Sequence, residues 1–457
     1  MVRLAGMSRR VRAGSRWQVA AVGACLVVGA AACSSSGSSS SSSAAASAPA
    51  SSAPASSASA AASSAPASSG SGATGGVTDF QQYVGGTAGT ASGTPVTIGW
   101  VNMQGGAPSQ TFPEATRAAQ ATVKYINSTL GGVHGHPVQL ATCFISTSEA
   151  QGTTCGQQML NTKGVDLIAE GIAAIGNASM YSVLNGSVPT LVGVSADPAD
   201  DTGKNVFELE GSGTSATVAF GPFMRKQFPS AKTVAIAYQN LPGAVPISQA
   251  IQKSAKANGF TVTMLPYSST ATDLTGTATQ LESADIMVPD CGFVDCPLMA
   301  KALNSIGASS KPTISVPLWT DLPGKAYPNG DLPQWIAGEA TANLADQTDP
   351  GVAAYFKTIE GAGLSQADAI SPFSGVAFGS LLLAVKIMNQ IPFSSLNPAA
   401  VTAALKAYKG PIPLGPTTID CSGSLYPADK NACSDYDQFY QYKGQGQWKL
   451  LEGWSNS

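Results

Sequence analysis

The chain has 457 residues with 24 Lys and Arg against 27 Asp and Glu, a formal net charge of −3, and only 11% charged residues, well under the ~25% of ordinary domains. An arginine-rich leader takes five of the basic residues and none of the acidic ones with it, which leaves 19 against 27, a net −8. That sign excludes a nucleic-acid binder, which needs a basic face.

The leader runs through Arg3, Arg9, Arg10, Arg12 and Arg16 into an apolar stretch from Val19 to Ala32. Charge, apolar run and small residues in that order are those of a secretory signal over residues 1–32, too short for a stable spanning helix. Ala30, Ala31 and Ala32 directly before Cys33 resemble a bacterial lipobox, although Ala30 stands where leucine is usual. The resemblance implies a lipidated Cys33 and an anchor on the outer face of the cell membrane. From Ser34 to Gly76 every residue is Ser, Ala, Pro, Gly or a single Thr. Such a segment has no apolar surface to offset the entropy of ordering, so residues 33–93 are expected to form a disordered tether. Its Ser34–Gly76 part reaches roughly 35–40 Å as a flexible coil.

Six cysteines remain in three close pairs, Cys143 with Cys155, Cys291 with Cys296 and Cys421 with Cys433. In an exported chain, neighbours closing short loops are the economical connectivity among fifteen, and three disulfides are expected. Zinc spacing is absent. The two histidines, His134 and His136, sit together in the turn GGVHGHP without a third ligand, so a solvated turn and no metal are expected. Neither a phosphate-binding GxxxxGK[ST] loop nor a GxGxxG after a strand is present, and no nucleophile–base cluster is visible. No cofactor and no catalysis are expected.

The body alternates strand and helix. PVTIGW precedes a helix from Pro113, PVQLATCF precedes EAQGTTCGQQMLN, and VDLIAEGI precedes a helix over 176–185 and the strand VPTLVGVS. The pattern then restarts with TVAIAYQN, a helix from Ala244, FTVTMLPY, a helix over 274–283, DIMVPDC, a helix over 297–306 and PTISVPLW. Repeated βαβ units predict α/β architecture in two similar lobes, each a parallel sheet with helices on both faces. A body beyond the usual single-core size agrees with two lobes. The apolar run 369–390 invites a membrane reading, but Ser371, Ser374, Ser380 and Lys386 interrupt it, and it is expected to be a buried helix of the first lobe.

The order TIGWVNMQGG, ATRAAQATVKYINSTLGGVHGHPVQL, SVPTLVGVSADP and SAKANGFTVTMLPYSSTATDL resembles the extracellular solute-binding proteins of bacterial ABC transporters, the type that serves branched-chain amino acids, amides and urea. The resemblance covers Thr94 to Ser457. It implies a type I periplasmic binding fold with three hinge crossings, near Gly211, Gly338 and Gly410. The first lobe is then 94–211 with 338–409, and the second 212–337 with 410–457. It also implies a monomer that traps a small polar solute, such as an amino acid, amide or urea, and presents it to a membrane permease. A tethered sensor that signals to a membrane receptor shares the same fold and is the alternative.

Carried over residue by residue, the family's carboxylate-holding places fall on Ala173 and Ala174 at the helix after the third strand, then on Ser195, Ala196 and Asp197 after the fourth. Two alanines stand where the family usually has a serine, and Asp197 repels a carboxylate. In the second lobe Gln239, Asn240, Leu241, Pro242 and Gly243 replace the usual acid, aromatic and glycine, with Tyr238 nearby. Asp321 is the expected partner of a ligand ammonium, and Trp319 an apolar wall.

Overall fold

In the computed structural model, residues 76–106, 111–211, 213–241, 243–292, 295–315 and 334–456 are described. The leader, Cys33, residues 33–75, Trp319 and Asp321 lie outside them.

Strands β1 (Val96–Met103), β2 (Val138–Ile145), β3 (Val165–Ala173), β4 (Thr190–Ser195) and β5 (Val206–Glu208) form a parallel sheet in the order β2-β1-β3-β4-β5. β1 and β3 are buried almost throughout, as strands covered on both faces must be. One face packs on α2 (Pro113–Ser128), α9 (Pro350–Gly361), the short α10 (Gln366–Ala369), α11 (Pro372–Asn389) and α12 (Pro398–Lys406), the other on α3 (Glu149–Asn161) and α4 (Asn177–Leu184). Alanines 115, 118 and 119 of α2 are fully buried, and side chains this small let α11 lie close against it.

A second sheet repeats the order. Strands β6 (Thr233–Gln239), β7 (Thr261–Tyr267), β8 (Ile286–Asp290), β9 (Thr313–Ser315) and β10 (Trp335–Glu339) lie as β7-β6-β8-β9-β10. Helices α5 (Phe220–Gln227) and α6 (Ala244–Ala257) cover one face, and α7 (Thr275–Glu282) and α8 (Cys296–Ser305) the other. This sheet is not wholly parallel. β13 (Asp437–Gly444) and β14 (Gln447–Ser455) add an antiparallel hairpin beyond β10. A short connection at Gln445 and Gly446, both at positive φ, permits only an antiparallel return.

The three disulfides pair as expected, Cys143–Cys155, Cys291–Cys296 and Cys421–Cys433. α11 is long and apolar enough to cross a membrane, yet 78% of it is buried here as a core helix. Lys386, which interrupts it, donates to Tyr83 O at 2.8 Å and lies 4.6 Å over the Tyr83 ring.

Tyr83 corrects the tether. Residues 80–84 form α1 (Phe80–Val84), capped by Asp79 on Gln82 N, and Phe80, Tyr83 and Val84 are buried against the first lobe's core. Those three side chains supply the apolar area that the serine-rich stretch lacks. The histidine turn is corrected too. His134 Nε2 donates to Ile391 O at 2.7 Å and the His136 ring stacks on Phe393 at 4.1 Å, so the turn packs on the end of α11 and is not simply solvated.

The last crossing also differs from the expectation. β10 remains in the second sheet to Glu339. Ile412, Leu414, Ile419, Cys421 and Cys433 pack in the first lobe's core, and the chain rejoins the second sheet only at Asp437. Gly410 ends β11 (Lys409–Gly410), paired with β12 (Ile419–Asp420), and does not mark a change of lobe. At the first crossing Gly211 has φ 75°, and a Cβ there would sit 2.4 Å from Ser434 O on the returning segment. Left-handed backbone and contact together demand glycine. Gly211→Ala is expected to cost at least about 1–3 kcal/mol, read as a lower urea midpoint. An unchanged midpoint would show that the two crossings are not packed as described.

Candidate functional site

Strand order 2-1-3-4-5 places a switch point at the carboxyl edge of each sheet, where open α/β sheets bind ligands. Between those edges lies a cleft of about 350 Å³ lined by Ser195, Ala196, Asp197, Pro198 and Asp201 from the loop after β4, Gly213 and Thr214 from the first crossing, and Gly243, Pro246 and Ile247 from the start of α6. Ser195, Ala196 and Asp197 were expected at such a place. Tyr238, next to the last residue of β6, is half-buried against the α5–α6 core and does not line this cleft. Ala173 is buried as the last residue of β3, and Ala174 is exposed.

The helix starts at Gly176 and Asn177, as its expected span had it, so Ala173 and Ala174 precede the helix terminus they were expected to form. Its backbone donors are taken by the chain's own carboxylates. Gly176 N and Ser179 N donate to Glu149 at 3.0 and 3.3 Å, and Asn177 N donates to Asp197 Oδ2 at 3.3 Å. Burial works upward on Glu149, but the bonds from Ser179 and Gly176 outweigh it and hold the carboxyl below its usual range. α3 closes the place sterically as well, since a Cβ at Gly152 would meet Gly176 O at 1.8 Å. The other expected donors, Ala196 N and Asp197 N, reach Asp200 Oδ2 at 3.2 and 3.1 Å. A helix terminus binds an anion through unpaired N–H groups, and here internal anions already stand on them.

Behind the cleft lies an acidic network that the sequence reading missed, although the run ADPADDT over 196–202 carries the signal. Asp200 Oδ1 accepts from Tyr181 Oη at 2.7 Å and Asn177 Nδ2 at 2.8 Å, and Asn177 also donates to Glu170 at 2.8 Å. Ser195 Oγ donates to Glu208 Oε1 at 3.4 Å. Burial pushes Asp200 up to about 7, and burial with the charge of Asp200 raises Glu170 well above its ordinary range. In the second lobe burial pushes Asp290, bonded by Ser248, up to about 7.

Unfolded carboxyls titrate near ~4, so between about pH 4 and 7 the folded protein binds more protons than the unfolded chain. Stability then falls as pH rises through that window. In EDTA-containing buffer the unfolding midpoint of the full chain is expected to drop from pH 5 to pH 8. A midpoint that climbs over the same range would show these acids to be ionised in the fold.

Residues 95–426 match the family model described as periplasmic binding protein. No curated protein matches the chain in sequence. Solved structures with the same fold include a solute-binding protein of an ABC transporter from R. palustris in complex with 4-hydroxybenzoate, 17% identical, with TM-score 0.63 over 79% of this chain and 96% of that one. A branched-chain amino acid ABC transporter protein from Thermus thermophilus with bound valine is 14% identical, with TM-score 0.64 over 81% and 97%. A substrate-binding protein from Streptococcus pneumoniae in complex with isoleucine is 13% identical, with TM-score 0.61 over 79% and 100%. With the family model matched over residues 95–426 of 457 and two sheets of one strand order flanking a cleft, the chain belongs to the periplasmic binding protein family.

Proposed function

We propose that the protein is a membrane-tethered extracellular solute-binding protein that traps a small polar solute between its two lobes and delivers it to an ABC permease. The observation that carries this reading is the cleft shared by the loop after β4 and the start of α6, within the periplasmic binding protein family. The relatives bound to valine, isoleucine and 4-hydroxybenzoate support a small organic ligand. We take the lobes to follow the two sheets, with crossings near Gly211, after Glu339 and before Asp437. The leader and Cys33 support a lipid anchor on the outer face of the membrane. The protein acts as a monomer, and no chemical step is assigned to it. Its mechanism is closure, which a solute stabilises only by binding the closed form better than the open one.

Charge narrows the solute. The cleft wall carries Asp197 and Asp201, and the nearby backbone donors are already paired. Such a wall offers acceptors, so the group it faces is a donor: an ammonium, an amide or a urea. Any carboxylate on the solute turns away from the loop after β4. Trp319 and Asp321 stand as the proposed second-lobe contacts.

The test is a thermal-shift screen of the full chain against amines, amides, ureas, amino acids and aromatic acids. A solute at 100 times its Kd should add about 2.7 kcal/mol. For a cationic hit, Asp197→Asn should weaken binding roughly ten- to a hundredfold by calorimetry; asparagine keeps one of the two acceptors that hold Asn177 N and Ala199 N, and the unfolding midpoint of the empty variant checks that the fold is retained. Hits confined to solutes whose one polar group is a carboxylate would overturn the donor assignment. Cys33→Ala should appear in the medium or keep its leader uncleaved. A shortened variant that still fractionates with membranes would refute the anchor.

A further inference from the structure

Beneath the cleft, three carboxylates from separate parts of the chain converge. Asp201 lies in the 3-10 turn Asp200–Thr202, Glu208 ends β5, and Asp429 belongs to the loop closed by the Cys421–Cys433 disulfide. One oxygen from each lies within 4.8 Å of the others. Glu208 is 0% and Asp429 1% exposed, yet Glu208 Oε2 and Asp429 Oδ2 meet no hydrogen-bond donor from outside the three acids. A buried polar atom without a partner costs about 1–3 kcal/mol, and more when charged, so such oxygens call for an explanation.

The surroundings hold them rigidly. Glu208 N donates to Asn431 O and Cys433 N to Glu208 O, each at 2.9 Å. Asn431 Nδ2 donates to Asp200 O at 2.6 Å and to Gly203 O at 2.9 Å. Asp429 Oδ1 is spent on Asn431 N and Ala432 N at 3.0 and 3.1 Å, which leaves Oδ2 as its open acceptor. These bonds lock the disulfide loop onto the edge of the first sheet.

We propose that Asp201, Glu208 and Asp429 form a site for a hard divalent cation, calcium before magnesium or zinc, clamped between the edge strand β5 and the disulfide-closed loop. Oxygens that share a calcium ion at 2.3–2.6 Å lie within about 5 Å of one another, and calcium accepts carboxylates in flexible geometry with water completing the shell. Zinc prefers nitrogen and sulfur, which the cluster lacks. Asp201 also lines the cleft and provides the route of entry. Without an ion the three acids avoid repulsion only by holding protons. A divalent ion replaces those protons and neutralises the cluster directly.

The full chain, stripped with EDTA, is titrated with calcium chloride by calorimetry, with magnesium and zinc chloride alongside. One calcium per chain is expected, with a raised unfolding midpoint, and at least tenfold weaker binding in Glu208→Gln and Asp429→Asn. Asp201→Asn, on a partly exposed turn, should weaken binding as well, and it carries the comparison if either buried variant fails to fold. No calcium uptake by the wild type, as three carboxyls that share protons would show, overturns the site. So does uptake that all folded variants retain, because the ion then lies elsewhere. The readout is calcium itself, so this inference stands or falls apart from the identity of the solute.

Discussion

The carboxylate of Asp200 is the constraint on which the functional edge of the first lobe depends. Burial of a carboxylate is tolerated only when donors surround it, and Asp200 gathers four: Tyr181 Oη and Asn177 Nδ2 on one oxygen, Ala196 N and Asp197 N on the other. The backbone carbonyl of the same residue accepts from Asn431 Nδ2. One residue therefore ties α4, the loop after β4 and the disulfide loop into a single piece. To shift any of them is to strand a buried charge. The consequence for recognition follows from counting donors. Ala196 N and Asp197 N are turned inward to Asp200, and the side chains this loop brings to the cleft include the acids Asp197 and Asp201.

That inversion explains why fold and site were not equally legible in the sequence. Strand and helix order could be read because apolar periodicity is local, and the INSTLGGVHG turn is local too: Asn127 clamps the start of β2 through Val138 N and O at 2.7 and 2.8 Å. The segment SADIMV behaves similarly, with Asp285 accepting from Lys232 N and Thr233 N to hold the start of β6. Disulfide pairing followed from short loops. The acidic network did not, because Asp429 lies more than two hundred residues beyond Asp201, and tertiary contacts, the pairing of Glu208 with Ala432 and the bonds of Asn431 to Asp200 and Gly203, bring them together. Glu149 is equally silent. As the first residue of α3 it reads as an ordinary helix-start acid, and its role at α4 exists only because Gly152 lets the two helices touch.

The late crossing has the same kind of cause. The family resemblance put a crossing near Gly410, but β11 and β12 use that glycine for a local pairing, and the apolar residues that follow belong to the first core. Where a lobe ends is decided by which core buries the side chains. Sequence punctuation alone does not locate that.

Closure then acquires a directional logic. The first lobe brings Asp197 and Asp201 to the cleft, whereas the second brings Gly243, Pro246 and Ile247, with no ionisable side chain among them. What α6 does present is its amino terminus, and a helix start carries about half a positive charge. The point where a Cβ would stand on Gly243 is 4.0 Å from Ala196 O, so that positive end faces the acceptor wall across a short gap. The two lobes therefore attract each other weakly even without a ligand. A donor-bearing solute adds to the same attraction by placing a second positive group against the wall, and Ile247 excludes water behind it, which strengthens both terms by lowering the local dielectric. A solute carboxylate set against the same wall would oppose both terms, and no contact from Pro246 or Ile247 compensates for it. On the proposed donor-bearing solute, selection by charge rests in the first lobe, while the second lobe contributes cover and field.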